Sequence, residues 1–193
     1  MIIREYKSYK DYVEHQKRKL FQQFEKIKRR DETLLDFFLE NFLILENIEG
    51  LKKGNILCLG ARLGTEVRAW KKLGYSSIGI DLNPGKNNSF VIPADFHYLP
   101  FKSKSFRYVY TNSLDHCLKL DLLNSEMNRV LVSGGKAIIE LHKVTKEQVE
   151  PESKYFESFY WKNPKELISL FQNDFWKNYK IFETTFTYLV LYR

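Results

Sequence analysis

Gly60, Gly64, Asp81 and the run Asn112 to His116 are the residues whose types and spacing suit chemistry in this 193-residue chain. The glycines bound a short loop, Gly60-Ala61-Arg62-Leu63-Gly64, which cuts off the apolar run Ile56 to Leu59. Glycine lets a backbone turn sharply off a strand tip and lets a ligand approach without a Cβ in the way. The amide N–H groups of such a turn, and of the helix that follows, face that ligand. Asp81 closes a second apolar run, Ile78 to Ile80, and lies 21 residues after Gly60. An acid at that strand tip suits the two hydroxyls of a ribose. Asp115 and His116 follow a predicted strand over Phe106 to Thr111, at the end where open α/β sheets hold ligands. Either residue suits orienting a substrate or taking its proton, and a neutral histidine suits a general base. Adjacent residues in one helical turn point apart, so the two are not expected to face one spot.

The elements that must position these groups follow from periodicity. Val67, Trp70 and Leu73 recur at helical spacing after the glycine loop, and Gly74 is placed to end that helix. Strand, tight turn, helix, strand, acid is the opening βαβ unit of a nucleotide-binding sheet. A glycine-bounded turn in an α/β protein of any other function is the competing reading. A dinucleotide fingerprint is excluded, because G-x-G-x-x-G needs glycine at 62 and 65, where the chain has Arg62 and Thr65.

Gly60 and Gly64 instead match the outer glycines of G-x-G-x-G. Here the chain resembles class I S-adenosylmethionine-dependent methyltransferases of the small-molecule branch. It departs from their first motif at two positions, with Cys58 in place of the acid and Arg62 in place of the middle glycine. The segment Arg129-Val130-Leu131-Val132-Ser133-Gly134-Gly135 resembles the family's RVLKPGG landmark, where glycines permit a turn from helix to strand. The resemblance implies S-adenosylmethionine as cofactor, held by Gly60, Ala61, Arg62, Gly64, Asp81, Leu82, Asn83, Asp95, Phe96 and Asn112. Within that set, Asp95 meets the adenine amino group and Phe96 offers a stacking face. Asn112 touches the amino-acid end, and Arg62 either reaches the cofactor carboxylate or points into solvent. Asp115 and His116 are the catalytic candidates, one of them expected to act and His116 preferred as the base, with Glu140 and His142 near the acceptor pocket; Glu140 is read as the more solvent-facing. A turn acid beside core aromatics is the plainer reading of Asp95 and Phe96.

The resemblance implies a Rossmann-like doubly wound α/β sheet. Counting strands from Ile56–Leu59, the order is 3-2-1-4-5-7-6 with the last strand antiparallel. The loop composition of residues 82–89 leaves no room for the usual second crossover helix, so the strand near Phe90 to Ile92 belongs at a sheet edge. One domain is expected over 1–193, with a helical extension over 1–53 and the core over 54–193.

Charge is uneven. Residues 1–30 hold ten Lys/Arg against four Asp/Glu, so nearly all of the net +7 lies there. Tyr6, Tyr9, Val13, Leu20, Phe24 and Ile27 share one helical face, and the basic residues crowd the rest. Such a helix can meet RNA or a membrane, but packing by one face is the favoured reading. Asp31 is placed to cap a second helix running to about Ile48, apolar nearly all round, which wants burial on several sides or a second subunit. No apolar run is long enough to span a bilayer, and the N-terminus is too polar for a signal peptide. Cys58 and Cys117 read as two reduced thiols of a cytoplasmic protein, with no metal site. The expected reaction is methyl transfer to a small polar acceptor such as a sugar. A non-catalytic module and an RNA methyltransferase are the alternatives.

Overall fold

The computed structural model describes residues 1–171 and 175–193. Its elements are β1 (Ile2–Ile3), α1 (Tyr9–Glu49), β2 (Asn55–Leu59), α2 (Thr65–Lys72), β3 (Ser76–Asp81) and β4 (Val91–Pro93), then β5 (Phe106–Thr111) and a 3-10 turn at Leu114–His116. After these come α3 (Leu120–Val130), β6 (Leu131–Leu141), a second 3-10 turn at Lys146–Val149, β7 (Phe159–Tyr160), α4 (Pro164–Phe171), β8 (Asn178–Glu183) and β9 (Thr187–Tyr192). Seven strands form one sheet in the order β4-β3-β2-β5-β6-β9-β8. β9 is antiparallel to both β6 and β8, and the remaining pairings in this sheet are parallel. Counted from β2 this is the expected 3-2-1-4-5-7-6, with β4 at the edge and no helix between β3 and β4.

Alternation along the strands splits the core in two. Ile56 and Cys58 face α1 and α2, where Phe42 stacks on Trp70 at 4.0 Å. Leu57 and Leu59 face the other side, with Met127 of α3 and Leu167 of α4. Both sets are removed from water, which is the main favourable term in holding the layers together.

The N-terminal region differs from expectation. The two predicted helices are one helix of 41 residues. Ser8 caps its start, its Oγ accepting from the Asp11 amide at 3.2 Å, and left-handed Gly50 ends it. No glycine or proline interrupts the segment. Asp31 is not a cap. Its carboxylate accepts from Thr65 Oγ1 and Arg68 at the start of α2, tying the middle of α1 to the glycine turn. Nor is the second half of α1 buried all round. Phe38, Phe42 and Leu45 are buried against the α2 side, whereas Leu43, Ile44 and Ile48 are exposed, because the helix crosses only one face of the sheet.

A second difference lies in the glycine turn before the last parallel strand. Residues 133–135 fall inside β6 as an irregularity, with the pairing to β5 jumping between Phe106↔Leu131 and Tyr108↔Lys136. A Cβ on Gly135 would stand 2.9 Å from the Arg107 carbonyl oxygen, so the bend needs glycine there. β1 pairs with β7 in a separate two-stranded ribbon, a contact between residues too far apart in the chain for local pattern to predict.

Candidate active site

The C-terminal ends of β2, β3 and β5 meet under α1. Gly60 has φ 69° and a Cβ there would stand 2.7 Å from Ser113 Cβ, so only glycine fits where β2 turns past β5. Arg62, in the middle-glycine position, keeps a left-handed backbone at φ 43°. The turn thus holds a glycine-like conformation without the glycine, at a strain of about 1 kcal/mol. That geometry aims the Arg62 amide at Asp81, whose Oδ2 accepts it at 3.1 Å while Oδ1 accepts the Asn83 amide at 2.7 Å. Two backbone donors therefore fix the Asp81 carboxylate at the tip of β3.

Asp95 is held just as firmly. His97 Nε2 accepts the Lys119 amide at 3.1 Å, so the ring proton sits on Nδ1. Nδ1 then donates to Asp95 Oδ1 at 2.8 Å, alongside the His97 amide at 2.9 Å. Tyr9 of α1 donates its hydroxyl to Asp95 Oδ2 at 2.6 Å. Burial works to raise the Asp95 pKa, but the bonds from His97 and Tyr9 outweigh it and leave it below the usual carboxylate value. Phe96 beside it is buried.

Two cavities share Lys19, Gly60, Arg62 and His116. The smaller, about 50 Å³, lies among Asp81, Leu82, Asn83, Phe96 and Ser113, with Tyr12 and Leu20 of α1 opposite. The larger, about 710 Å³, runs beneath the middle of α1 past Ala61, Asn112, Asp115, Glu140 and His142. Among the predicted site residues, Gly64 and Asp95 lie off both walls: the Gly64 backbone, at φ 86°, packs closely against Phe90 and Val91, and the Asp95 carboxylate is taken up by His97 and Tyr9.

Asp115 and His116 do face one place, contrary to the helical-turn argument. The tight 3-10 turn brings Asp115 Oδ2 to 3.6 Å from His116 Nε2. His116 Nδ1–H donates to the Phe156 carbonyl at 2.9 Å, which leaves the Nε2 lone pair facing the cavities. Lys19 Nζ lies 2.6 Å from that lone pair. Burial, then the Lys19 and Arg62 charges, hold the His116 pKa well below its ordinary value, so the ring is neutral. Burial, assisted by Arg62, likewise brings Lys19 down to about 7. Ligand-type atoms of Asp115, His116 and Glu157 lie within 4.8 Å of one another, and the cation at that cluster is Lys19.

Glu140 corrects another expectation. It is buried, not solvent-facing, because Tyr110 and Tyr188 from the flanking strands donate to its Oε2 at 2.8 and 3.1 Å. His142 Nε2 stands 3.5 Å from its other oxygen. Cys58, in the motif's acid position, is fully buried and its thiol is pushed up by that burial.

Five site residues escaped the sequence reading: Tyr9, Lys19, Glu66, His97 and Glu157. Burial pushes Glu66 up to about 8 from an ordinary 4.5, so the folded chain keeps it protonated at neutral pH. A carboxyl whose pKa is raised on folding costs stability as pH climbs from its unfolded to its folded value. Glu66→Gln removes that cost. The variant's melting temperature should therefore fall less than the wild type's between pH 5 and 8, measured by scanning calorimetry; parallel curves would contradict the burial argument.

Residues 57–139 match a family model described as a methyltransferase domain. Over that span, 83 of the 193 residues, the chain is similar to methyltransferases. The methyltransferase fold extends beyond the matched span. A Thermotoga maritima protein described as a SAM-dependent methyltransferase superimposes with a TM-score of 0.68 at 15% identity, over 94% of this chain and 98% of that one. A Pyrococcus horikoshii protein gives 0.65 at 18% identity, over 91% and 97%. A phosphoethanolamine N-methyltransferase of Haemonchus contortus, solved with S-adenosyl-L-methionine, gives 0.59 at 23% identity, over 76% of this chain and 38% of that one. No curated protein sequence matches the chain. No helix among the described residues is long and apolar enough to cross a membrane.

Proposed function

We propose that the protein is an S-adenosylmethionine-dependent methyltransferase that transfers the methyl group to a small polar acceptor held in the larger cavity. One observation carries this reading. Glu157 Oε2 is buried and has no hydrogen-bond partner among the described residues, although Glu157 lines that cavity beside Asp115 and His116. A buried acceptor left unpaired costs on the order of 1–3 kcal/mol. A hydroxyl or amine brought by a ligand would satisfy it. A space of about 710 Å³ under a helix suits a metabolite and the amino-acid end of the cofactor, and does not suit a polynucleotide. The Haemonchus enzyme was also solved in complex with phosphomonomethylethanolamine, a small polar molecule, and S-adenosylhomocysteine.

In this reading Gly60, Ala61, Arg62 and Gly64 shape the floor under the methionine portion, and Asn112 meets its amino-acid end. Asp81, with Leu82 and Asn83, takes the ribose, while Asp95 and Phe96 take the adenine. The sulfonium is already electrophilic, so the protein's task is alignment and exclusion of water. When bound, S-adenosylmethionine would supply the electrophilic methyl group and leave as its thioether, and a hydroxyl or amine acceptor would have to give up its proton. His116 Nε2 takes it, displacing the Lys19 hydrogen bond, and Asp115 stabilises the imidazolium. Residues 1–53 wall the site and 54–193 carry it, as one unit. The two buried thiols suit a cytoplasmic protein.

Tritiated S-adenosylmethionine incubated with the protein and a fractionated cell extract tests this. Label should enter the small-molecule filtrate. Label confined to RNA or protein would contradict it, and binding of cofactor with no label anywhere would favour the non-catalytic alternative.

A further inference from the structure

The charges around the larger cavity are sorted by depth. Its acids lie on the floor: Glu66, Asp115 and Glu140 are buried, and so is Glu157 Oε2. Burial raises the Glu66, Asp115 and Glu140 carboxyls above their ordinary pKa, which lowers the negative charge the floor presents. The rim is basic. Arg29 and Arg30 line it from α1 and Lys143 from the residues just past β6, and all three are exposed. No exposed acid stands with them among the described lining residues.

These cations are unspent. Among the described residues, neither the Arg30 nor the Lys143 side chain has a hydrogen bond or an ion pair. Arg29 makes one bond, from Nε to the Glu25 carbonyl of its own helix at 3.2 Å, and its remaining donors are open. A solvated helix face accounts for Lys26 and Lys28, which line neither cavity. It does not account for cations of two separate elements converging on one cavity mouth that holds no opposing acid. A guanidinium offers a planar fork of donors that matches the oxygens of a carboxylate or a phosphate. Resting on the small-acceptor reading above, we propose that the acceptor carries an anionic group, carboxylate or phosphate, held at the rim by Arg29, Arg30 and Lys143. Its hydroxyl or amine then reaches down to His116 and the unpaired Glu157 Oε2. The proton leaves from that inner group, and the anion at the rim is not methylated.

The protein is incubated with tritiated S-adenosylmethionine and the small-molecule filtrate of a cell extract, and the products are passed over an anion exchanger at alkaline pH. Labelled product should be retained, whereas unreacted cofactor, whose sulfonium offsets its carboxylate, passes through. Alkaline phosphatase then distinguishes the two anions: label that loses retention was a phosphate ester, and label that keeps it is a carboxylate. With dilute filtrate, the double variant Arg29→Gln, Arg30→Gln should transfer about tenfold or more slowly, and concentrating the filtrate should restore its rate, the signature of lost ground-state binding. Its S-adenosylhomocysteine affinity should match that of the wild type. Labelled product that runs through the exchanger overturns the anionic acceptor and leaves the small-acceptor reading standing. Retained label with an unchanged rate in the double variant overturns the assignment to the rim. Absence of label from the filtrate overturns this inference together with the reading on which it rests.

Discussion

Replacing His116 with alanine is expected to lower methyl transfer by roughly 10²–10⁴-fold while leaving S-adenosylhomocysteine affinity unchanged. The ring is neutral, its Nδ1 proton is committed to the Phe156 carbonyl, and its Nε2 lone pair faces the cavities. That is the protonation state a base needs before the reaction. Lys19 and Asp115 surround Nε2 at 2.6 and 3.6 Å, so the proton it gains enters a cluster able to share it. A pH–rate profile adds a discriminating readout. Activity should rise through a pKa near 7 if Lys19 must also lose its proton, and Lys19→Met should abolish that inflection. Full activity of His116→Ala on the labelled acceptor would remove the histidine from the chemistry.

Asp81→Ala should weaken S-adenosylhomocysteine binding by about a factor of ten or more, since a hydrogen bond to a charged group contributes roughly 1.5–3 kcal/mol. The carboxylate also anchors the glycine turn through the Arg62 and Asn83 amides, so alanine removes both a ligand contact and the support of the loop that shapes the site. Asp81→Asn separates the two. It keeps one acceptor oxygen for the turn and loses the charge, and should fall between wild type and alanine in calorimetry. Equal affinity in all three proteins would take Asp81 out of the site.

The parts of this architecture that local pattern controls were legible in the sequence. Strand alternation, the glycine-bounded turn, the Asp81 tip and the missing crossover helix all follow from residues within a few positions of one another. What was not legible depends on distant partners. Asp31 has a cap-like side chain, and nothing nearby says that it will bond Thr65 and Arg68 instead. Glu140 looked solvent-facing because its two tyrosine partners come from other strands, 30 and 48 residues away. Tyr9 and Lys19 reach Asp95 and His116 across 86 and 97 residues, so their helix read simply as basic and amphipathic. The 3-10 turn that converges Asp115 and His116 was hidden for a different reason: an ordinary helical turn would have splayed them.

The most direct test of the account is a crystal structure with S-adenosylhomocysteine bound. The account predicts the ribose hydroxyls on Asp81, the adenine amino group on Asp95 with Tyr9 displaced, and the sulfur opening onto the cavity that holds His116 and Glu157. Cofactor seated away from both acids, or a sulfur sealed off from His116 by apolar side chains, would contradict it.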